Sequence, residues 1–314
     1  MPDKKIIAVV GATGSQGGGL AHAILEDKNS QFAVRAITRD PDSDKARALQ
    51  AMGAEVVFGD IDDESSIVKA FTGAHGAYCV TFYWNHLSPQ RENADAANLA
   101  KASKRAGVQH VIWSTLEDTR QWVPPSDNRM PTILGNYKVP HFDAKGEMDH
   151  VFIDLGVPTT FLLAAFYWEN FIRSGPKREP DGSLALTMPI GGAKLAGIGS
   201  SDIGAAAYGM FKRGRPVIGQ RIGVAGEHLT GPQMAAAMSK AFGEAVKFND
   251  IPPDVFRSFG FPAADDLGNM FQFYRDFEKP CNDTRDVART RAFAPALQTF
   301  DQWLAKNAEK IPRQ

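Results

Sequence analysis

A glycine-rich segment near the start of the chain has the residue types and the spacing to bind a dinucleotide. Gly11, Gly14 and Gly17 recur at every third position, and the residues between them are Ala12, Thr13, Ser15 and Gln16. The first glycine permits a sharp turn, the second lets the backbone approach a pyrophosphate, and the third lets a helix pack close to a strand. Free N–H groups at the start of that helix attract phosphate. A plain structural turn is the alternative, but a strand-like run precedes the glycines and a helical pattern follows them, so we expect dinucleotide binding.

The end of the second predicted strand bears on the choice between NADP and NAD. Arg39 lies there, and its guanidinium can bind the 2′-phosphate of NADP with two hydrogen bonds and stack on the adenine. An acidic residue in this region instead holds the ribose hydroxyl of NAD, and Asp40 is a competing signal of that kind. The alternative for Arg39 is a solvated surface side chain. We expect NADP, with NAD as the less favoured cofactor.

Two further strand ends are placed to meet the same cofactor. Asp60 and Ile61 follow the third predicted strand, and Thr81, Phe82 and Tyr83 follow the fourth. Ligands of open α/β sheets bind at the carboxyl ends of the strands. The first pair is therefore expected at the adenine edge, and the second group along the cofactor toward the nicotinamide.

The elements that must position these residues alternate between short apolar runs and helical patterns. Strands are predicted at 6–10, 32–37, 55–58, 77–82, 108–114 and 159–165, and helices at 17–27, 44–52, 65–71, 89–106 and 141–155. Such βαβ units build a parallel sheet with helices on both faces. The fold class is therefore α/β, with a doubly wound parallel sheet.

Two parts of the chain depart from this rhythm. Residues 119–140 are rich in proline and polar residues and are too long for a routine connection, so we expect a functional loop or a mobile insertion. After about residue 170 the pattern becomes irregular, with helices predicted at 230–242 and 295–308.

Composition and charge exclude several classes of function. The 314 residues carry a formal net charge of −1, so no overall field attracts nucleic acid or an anionic membrane. No run approaches the ~18 consecutive apolar residues of a membrane span. Cys79 and Cys281 make neither a disulfide framework nor a ligand pair, which favours free thiols in the reducing cytoplasm. No metal is expected, because the following histidines lack metal-ligand spacing: His86, His110, His141 and His150.

The motifs together resemble the NmrA-like family, a group of atypical short-chain dehydrogenase/reductases. The resemblance covers nearly the whole chain apart from 119–140, and its more specific parts are 141–147 and 266–271. The other matching stretches are 11–17, 38–41, 53–57, 59–60, 156–158, 167–170 and 201–204. NADP-binding redox sensors of this family are the members that this chain resembles most by eye.

The resemblance implies a Rossmann domain of residues 1–156, completed by segments that return later, and a smaller α/β domain formed mainly by 157–314. It also implies a cleft between them and possible homodimers. The implied NADP-binding residues are Gly11 to Gln16, Arg39, Asp60, Ile61, Thr81 to Tyr83, Lys145, Tyr167, Trp168, Glu169 and Asn170. The sensor-like relatives carry a second basic residue shortly after the arginine. Here Asp42 and Ser43 occupy that stretch and Lys45 is the nearest lysine, which weakens the expected hold on the 2′-phosphate.

The proton donor that short-chain reductases normally use is missing. These enzymes carry Tyr-x-x-x-Lys on one helix face, where the tyrosine donates a proton and the lysine lowers the pKa of that tyrosine and binds the ribose. Lys145 occupies the lysine position, but His141 occupies that of the tyrosine. Tyr137 lies beyond Pro140 and is a poor substitute. Ser114, at the end of the fifth strand, lies where such enzymes place a substrate-side serine; its alternative is a hydroxyl that satisfies a strand end.

Two functions follow, and the residues leave both open. In the first, the proton donor has been lost, Lys145 only binds ribose, and the chain is an NADP(H)-binding redox sensor or regulator with a protein partner. In the second, His141 or Lys145 is the acid, because histidine titrates near neutrality. The chain is then an NADPH-dependent reductase of a small carbonyl, quinone or aromatic substrate. A scaffold protein with a structural cofactor is a weaker third possibility.

Overall fold

A seven-stranded, all-parallel sheet is the centre of the computed structural model, which describes residues 4–313. Residues 1–3 and Gln314, which the predicted domains include, lie outside the described residues. The strands are β1 (Lys5–Val10), β2 (Phe32–Thr38), β3 (Glu55–Phe58), β4 (Gly76–Cys79), β5 (His110–Thr115), β6 (Thr159–Leu163), β7 (Phe166–Tyr167), β8 (Lys177–Arg178), β9 (Leu184–Met188), β10 (Leu195–Ile198), β11 (Arg221–Gly223), β12 (Glu227–Leu229) and β13 (Val246–Asp250). The large sheet has the order β11-β6-β5-β4-β1-β2-β3, which confirms the predicted α/β class.

Fourteen α-helices connect and cover these strands in the described part of the chain. They are α1 (Ser15–Glu26), α2 (Asp44–Ala51), α3 (Glu64–Phe71), α4 (Pro89–Arg105), α5 (Pro140–Glu147), α6 (Asp149–Asp154), α7 (Asn170–Arg173), α8 (Ser200–Arg213), α9 (Gly231–Phe242), α10 (Pro253–Arg257), α11 (Ala264–Asp276), α12 (Glu278–Thr284), α13 (Val287–Phe293) and α14 (Phe300–Asn307). Within 4–313, none of the helices combines the length and the apolar character that a membrane crossing requires.

The strand order reverses between β1 and β4, and this reversal creates a crevice. The chain runs outward from β1 through β2 to β3 on one side, and then returns to build β4, β5 and β6 on the other. Crossovers on the two sides leave the sheet in different directions, so the carboxyl edge opens at this point. The strands β4 and β5 are buried along their whole length, as expected for parallel strands covered on both faces.

Three predicted elements differ from the observed ones. The strand predicted at 77–82 ends at Cys79, where its last pairing with β5 ends. The helix predicted at 141–155 is divided into α5 and α6, because Asp149 turns its carboxylate into the sheet to accept hydrogen bonds from Trp113 and Thr115 at 2.9 and 2.7 Å. The last helix begins at Phe300, since Thr299 forms a capping box with Gln302.

The segment 119–140 is packed on helix α11. The side-chain amides of two α11 residues donate to its carbonyls, Asn269 to Pro131 at 2.9 Å and Gln272 to Arg129 at 2.7 Å. The ammonium of buried Lys138 donates to two further carbonyls of the segment at 2.6 Å. The contacts from Asn269 and Gln272 bind the backbone of the segment to the second half of the chain, whereas those of Lys138 are internal to the segment.

A second hydrophobic cluster lies around two three-stranded sheets, β12-β10-β7 and β13-β9-β8. Met234, Met238, Phe271 and Trp303 are among its buried members. The strands β6 and β11 also come from the second half of the chain, yet they belong to the large sheet. The predicted boundary near residue 156 therefore falls between β5 and β6, which are neighbours in the large sheet.

A buried ion pair connects the large sheet to the last third of the chain. The guanidinium of Arg285 donates to Glu117, which follows β5, at 2.8 Å, and to the carbonyl of Ala164 at 2.8 Å. Burial raises the pKa of the Glu117 carboxyl, but the charge and hydrogen bonds of Arg285 outweigh burial and lower it. Removal of one partner would leave the other charge buried without compensation.

We expect Glu117→Gln to lower the free energy of unfolding by about 3–5 kcal/mol, because Arg285 then stays buried without a counter-charge. The matched control is Glu244→Gln, which removes the same charge from an exposed pair with Arg178. That variant should lose about 0–1 kcal/mol. Urea denaturation measures both values, and equal losses in the two variants would contradict the expectation.

Candidate functional site

A cavity of about 640 Å³ opens at the carboxyl edge of the sheet, at the point where the strand order reverses. The predicted cofactor residues that line it are Gly11, Thr13, Gly14, Arg39, Asp60, Ile61 and Phe82. Other lining residues include Asp62, His86, Arg91 and Asp95. The structure therefore brings together residues from the ends of β1, β2 and β3 and from the segment after β4.

The glycine segment has the tight geometry that the motif predicts. Gly11 has a φ of +64°, a region that favours glycine, and its carbonyl accepts the N–H of Gly14 at 2.9 Å. A Cβ on Gly17 would lie 2.7 Å from the carbonyl carbon of Gly11 and 2.8 Å from the carbonyl oxygen of Val10, closer than real Cβ atoms come. Helix α1 begins directly after Gly14, and no side chain caps its first N–H groups. These groups are thus available to an anion.

Arg39 and Asp40 are both exposed at the rim of this cavity. The stretch where sensor-like relatives carry a second basic residue starts helix α2 here. The Ser43 hydroxyl caps that helix at the N–H of Ala46, and the carboxylate of Asp40 accepts the N–H of Asp42 at 3.2 Å. Arg39 is therefore the cation that the chain offers at this part of the rim.

Lys145 belongs to a buried polar cluster beside the segment that follows β4. Its ammonium lies 2.6 Å from Oε1 of Glu92 and 2.5 Å from the hydroxyl oxygen of Thr81, and the Thr81 hydroxyl also donates to Glu92. The Glu92 side chain is fully buried. Thr81 and Lys145 were both predicted to meet the cofactor, and the structure places them in contact.

Glu92 is a functional candidate that the sequence reasoning missed. It lies on helix α4, on the same face as buried Ala96 and Leu99. Residues four and seven positions apart share a face of an α-helix. An acidic residue on the apolar face of this amphipathic helix was the available signal, because such a charge needs a partner in the interior.

His86 faces Glu92 from the other side of the carboxylate. Its Nε2 lies 3.5 Å from Oε2 of Glu92 and 3.8 Å from Oδ2 of Asp95. Burial, together with the neighbouring carboxylates of Asp62 and Glu92, raises the pKa of Asp95 to about 7. The pKa of His86 is lowered, chiefly by burial.

The donor atoms of His86, Glu92 and Asp95 all lie within 4.8 Å of one another, a spacing that a metal ion could use. However, the backbone N–H of Ser88 donates to Nδ1 of His86 at 3.1 Å. The neutral ring therefore carries its proton on Nε2, the atom that faces the carboxylates. An N–H in this position cannot coordinate a cation, so this tautomer does not suit a metal site. Nε2 of His86 and Oε2 of Glu92 have no hydrogen-bond partner among the described residues.

His141 stands where a catalytic tyrosine would be, and its ring is paired with a carboxylate. Its Nδ1 lies 2.6 Å from Oδ1 of Asp266 on helix α11, and its backbone N–H donates to Oδ2 of the same residue at 3.3 Å. The half-exposed ring of Trp84 lies against it, with ring centroids 4.7 Å apart. Burial and the Asp266 carboxylate raise the pKa of the Tyr83 hydroxyl. The contact between His141 and Asp266 connects helix α5, which carries Lys145, to α11.

Ser114 belongs to a hydroxyl network around Gln16. The Ser114 hydroxyl donates to Oε1 of Gln16 at 2.8 Å, and the hydroxyl of Tyr78 donates to the same oxygen. The amide of Gln16 in turn donates to the hydroxyl of Tyr167. The network connects the glycine segment to β5 and β7, and Tyr78 is a member that sequence reasoning did not identify.

The four predicted residues at 167–170 have different surroundings. Tyr167 contacts the glycine segment through Gln16. Trp168 is buried against Phe300, with ring centroids 5.3 Å apart. Glu169 accepts hydrogen bonds from the N–H of Ser200 and from the indole of Trp303, while Asn170 is exposed at the start of α7. Cofactor binding by these four residues stays a prediction.

The sequence matches the NmrA-like family over residues 3–304. One curated relative is the NmrA-like family domain-containing oxidoreductase FrzB of Cladobotryum sp, which is 28% identical over 290 residues, covering 85% of this chain and 83% of FrzB.

A crystal structure of NmrA, a negative transcriptional regulator, is 25% identical with a TM-score of 0.78, covering 96% of this chain and 95% of NmrA. Other structures of NmrA are complexes with NADP or NAD. Citrobacter sp. triphenylmethane reductase, complexed with NADP(H), shares the fold, with a TM-score of 0.73 at 20% identity over 96% of this chain and 99% of the reductase.

Proposed function

Because the chain belongs to the NmrA-like family, we propose that it binds NADP(H) and acts as a redox sensor that reports the state of this cofactor to a protein partner. One observation carries the proposal. The position of the usual proton donor is held by His141, whose ring is bound by Asp266 at 2.6 Å. The pair of His141 and Asp266 links helix α5, which carries Lys145, to helix α11.

The lining of the cavity supports binding of a dinucleotide, because it includes Gly11, Gly14, Arg39, Asp60 and Phe82. The glycine segment and the uncapped start of α1 offer N–H groups to the pyrophosphate, and we assign Arg39, which lines the cavity, to the 2′-phosphate. Asp60 and Ile61 are assigned to the adenine edge. The segment from Thr81 to Tyr83 is assigned to the nicotinamide half, and Lys145 to its ribose. The complexes of NmrA with NADP and NAD support a nicotinamide dinucleotide in this family. When bound, the cofactor supplies a hydride donor or acceptor.

A physical connection runs from this site to a surface of the molecule. Tyr83 and His141 both face Asp266, and Asp266 lies one turn before Asn269 on α11. Asn269 and Gln272 hold the backbone of the segment 119–140. A change at the nicotinamide end can therefore reach this segment through a single helix, and we assign 119–140 as the partner surface. The coupling requires a second arrangement of α11 for which the oxidised and reduced cofactors have different affinities.

Calorimetric titration of cofactor-free protein should give affinities for NADP+ and NADPH that differ by about fivefold or more, within the usual range of coupling energies. Hydrogen exchange in residues 119–140 should also differ between the two complexes. In Asp266→Asn this difference should shrink, because the link from His141 to α11 is weakened. The matched control is Asp265→Asn, an exposed neighbour on the same helix. Equal affinities together with identical exchange in the two complexes would refute the sensor proposal.

Arg39→Ala should weaken binding of NADP+ by about tenfold or more, since a charge-assisted hydrogen bond to the phosphate is lost. Binding of NAD+, which lacks the 2′-phosphate, should stay within about twofold. Arg47→Ala, which removes an exposed arginine of α2, is the control. An equal loss for NADP+ and NAD+ would show that Arg39 does not recognise the 2′-phosphate.

The second candidate function, an NADPH-dependent reductase, is favoured by the Lys145 cluster. Thr81 and Glu92 hold the ammonium beside the segment assigned to the nicotinamide, where it could protonate a substrate oxygen. The relative FrzB is named an oxidoreductase, which supports the same function.

This candidate predicts loss of NADPH absorbance when a small quinone, carbonyl or aromatic substrate is added. The rate should fall by about 100-fold or more in Lys145→Met, the usual contribution of a general acid. Lys104→Met, on the outer face of α4, is the control and should keep the rate. Turnover that is unchanged in Lys145→Met would exclude this cluster as the reacting site.

A further inference from the structure

The surroundings of Glu92 suggest a role beyond holding the ammonium of Lys145. Its carboxylate is fully buried, and each oxygen has its own neighbour: Oε1 accepts from Lys145 and Thr81, whereas Oε2 faces the Nε2–H of His86. Oε2 of Glu92 and Nε2 of His86 make no hydrogen bond with any of the described residues. Burial of a carboxylate is costly unless the carboxylate is paired with a positive charge. Glu92 therefore depends on Lys145, just as Lys145 is held in position by Glu92.

We propose that Glu92 determines how strongly the site prefers reduced over oxidised nicotinamide cofactor, because it balances the charge of Lys145. The inference rests on the proposed function, in that it takes NADP(H) to lie along Thr81 to Tyr83 with its ribose at Lys145. It adds a residue that controls the redox preference itself.

The effect of Glu92 on the redox preference comes from its charge. The nicotinamide ring carries a positive charge when oxidised and none when reduced. A lone ammonium beside the ring disfavours the oxidised form, whereas a carboxylate favours it. Lys145 and Glu92 are 2.6 Å apart, so they present almost no net charge at longer range. The preference for one form then depends on whether both members of the pair are present.

Other charged groups near the pair do not replace Glu92. Arg91 and Asp62 form their own ion pair at 2.5 Å and largely cancel. Asp95 faces His86 at 3.8 Å, on the side of the cluster away from Lys145, and its pKa is raised to about 7 by burial and by the neighbouring carboxylates. Glu92 is thus the carboxylate that directly contacts the ammonium.

The test compares the ratio of the dissociation constants for NADP+ and NADPH in four proteins, measured by calorimetry. Glu92→Gln keeps the shape of the side chain and should move the ratio about tenfold toward NADPH. Coulomb's law gives this size for unit charges about 12 Å apart at an effective dielectric constant of about 20. Lys145→Met, measured at pH 8, should move the ratio in the opposite direction. Glu64→Gln removes an exposed charge that pairs with Arg105 and should leave the ratio unchanged.

A ratio in Glu92→Gln that stays within twofold of the wild-type value would overturn the inference, as would shifts of the same sign in Glu92→Gln and Lys145→Met. Circular dichroism establishes that the variants are folded, and Lys145→Met alone decides the sign if Glu92→Gln does not fold. A wild-type protein that binds both forms equally contradicts the sensor proposal. The predicted shift between wild type and Glu92→Gln does not depend on that wild-type ratio, so the two failures are distinguishable.

Discussion

The reversal of strand order between β1 and β4 is the constraint on which the rest of the structure depends. Parallel strands leave all their carboxyl ends at one edge, and the crossovers on the two sides of the reversal diverge. Loops from four strands therefore meet at one crevice. The glycine segment must turn within a few residues to stay at the floor of this crevice, so a side chain at Gly17 would collide with the backbone of Gly11.

Charges buried around that crevice determine how its two sides are joined. Lys145 and Glu92 neutralise each other on the nucleotide side, whereas His141 and Asp266 connect this side to helix α11. The pair of Arg285 and Glu117 makes a third connection, just after the carboxyl end of β5. Buried charges tolerate few arrangements, because each requires its partner within a few ångströms. The two halves of the chain are thereby held in a defined relation.

Local sequence patterns were enough to predict six of the seven strands of the large sheet, but not the short strand β11. The glycine spacing, the apolar runs and helix signals such as Thr230 depend on neighbours within one element, and the structure has these elements close to the predicted bounds. The partner of His141 could not be inferred in this way, since Asp266 lies 125 residues further along the chain. The division of the helix at 141–155 likewise depends on Asp149 and the distant indole of Trp113. Long-range polar contacts of this kind leave no periodic trace in the sequence.

Helix α11 holds the segment 119–140 partly through its backbone. Asn269 and Gln272 both donate to carbonyl oxygens, which every amino acid possesses. Side chains on the outer surface of the segment can therefore be exchanged during evolution without loss of its attachment. Leu134 is one such residue and is exposed over 57% of its surface. Relatives that keep these two donors could present different outer surfaces on the same scaffold, and so acquire new binding specificities while the nucleotide crevice stays unchanged.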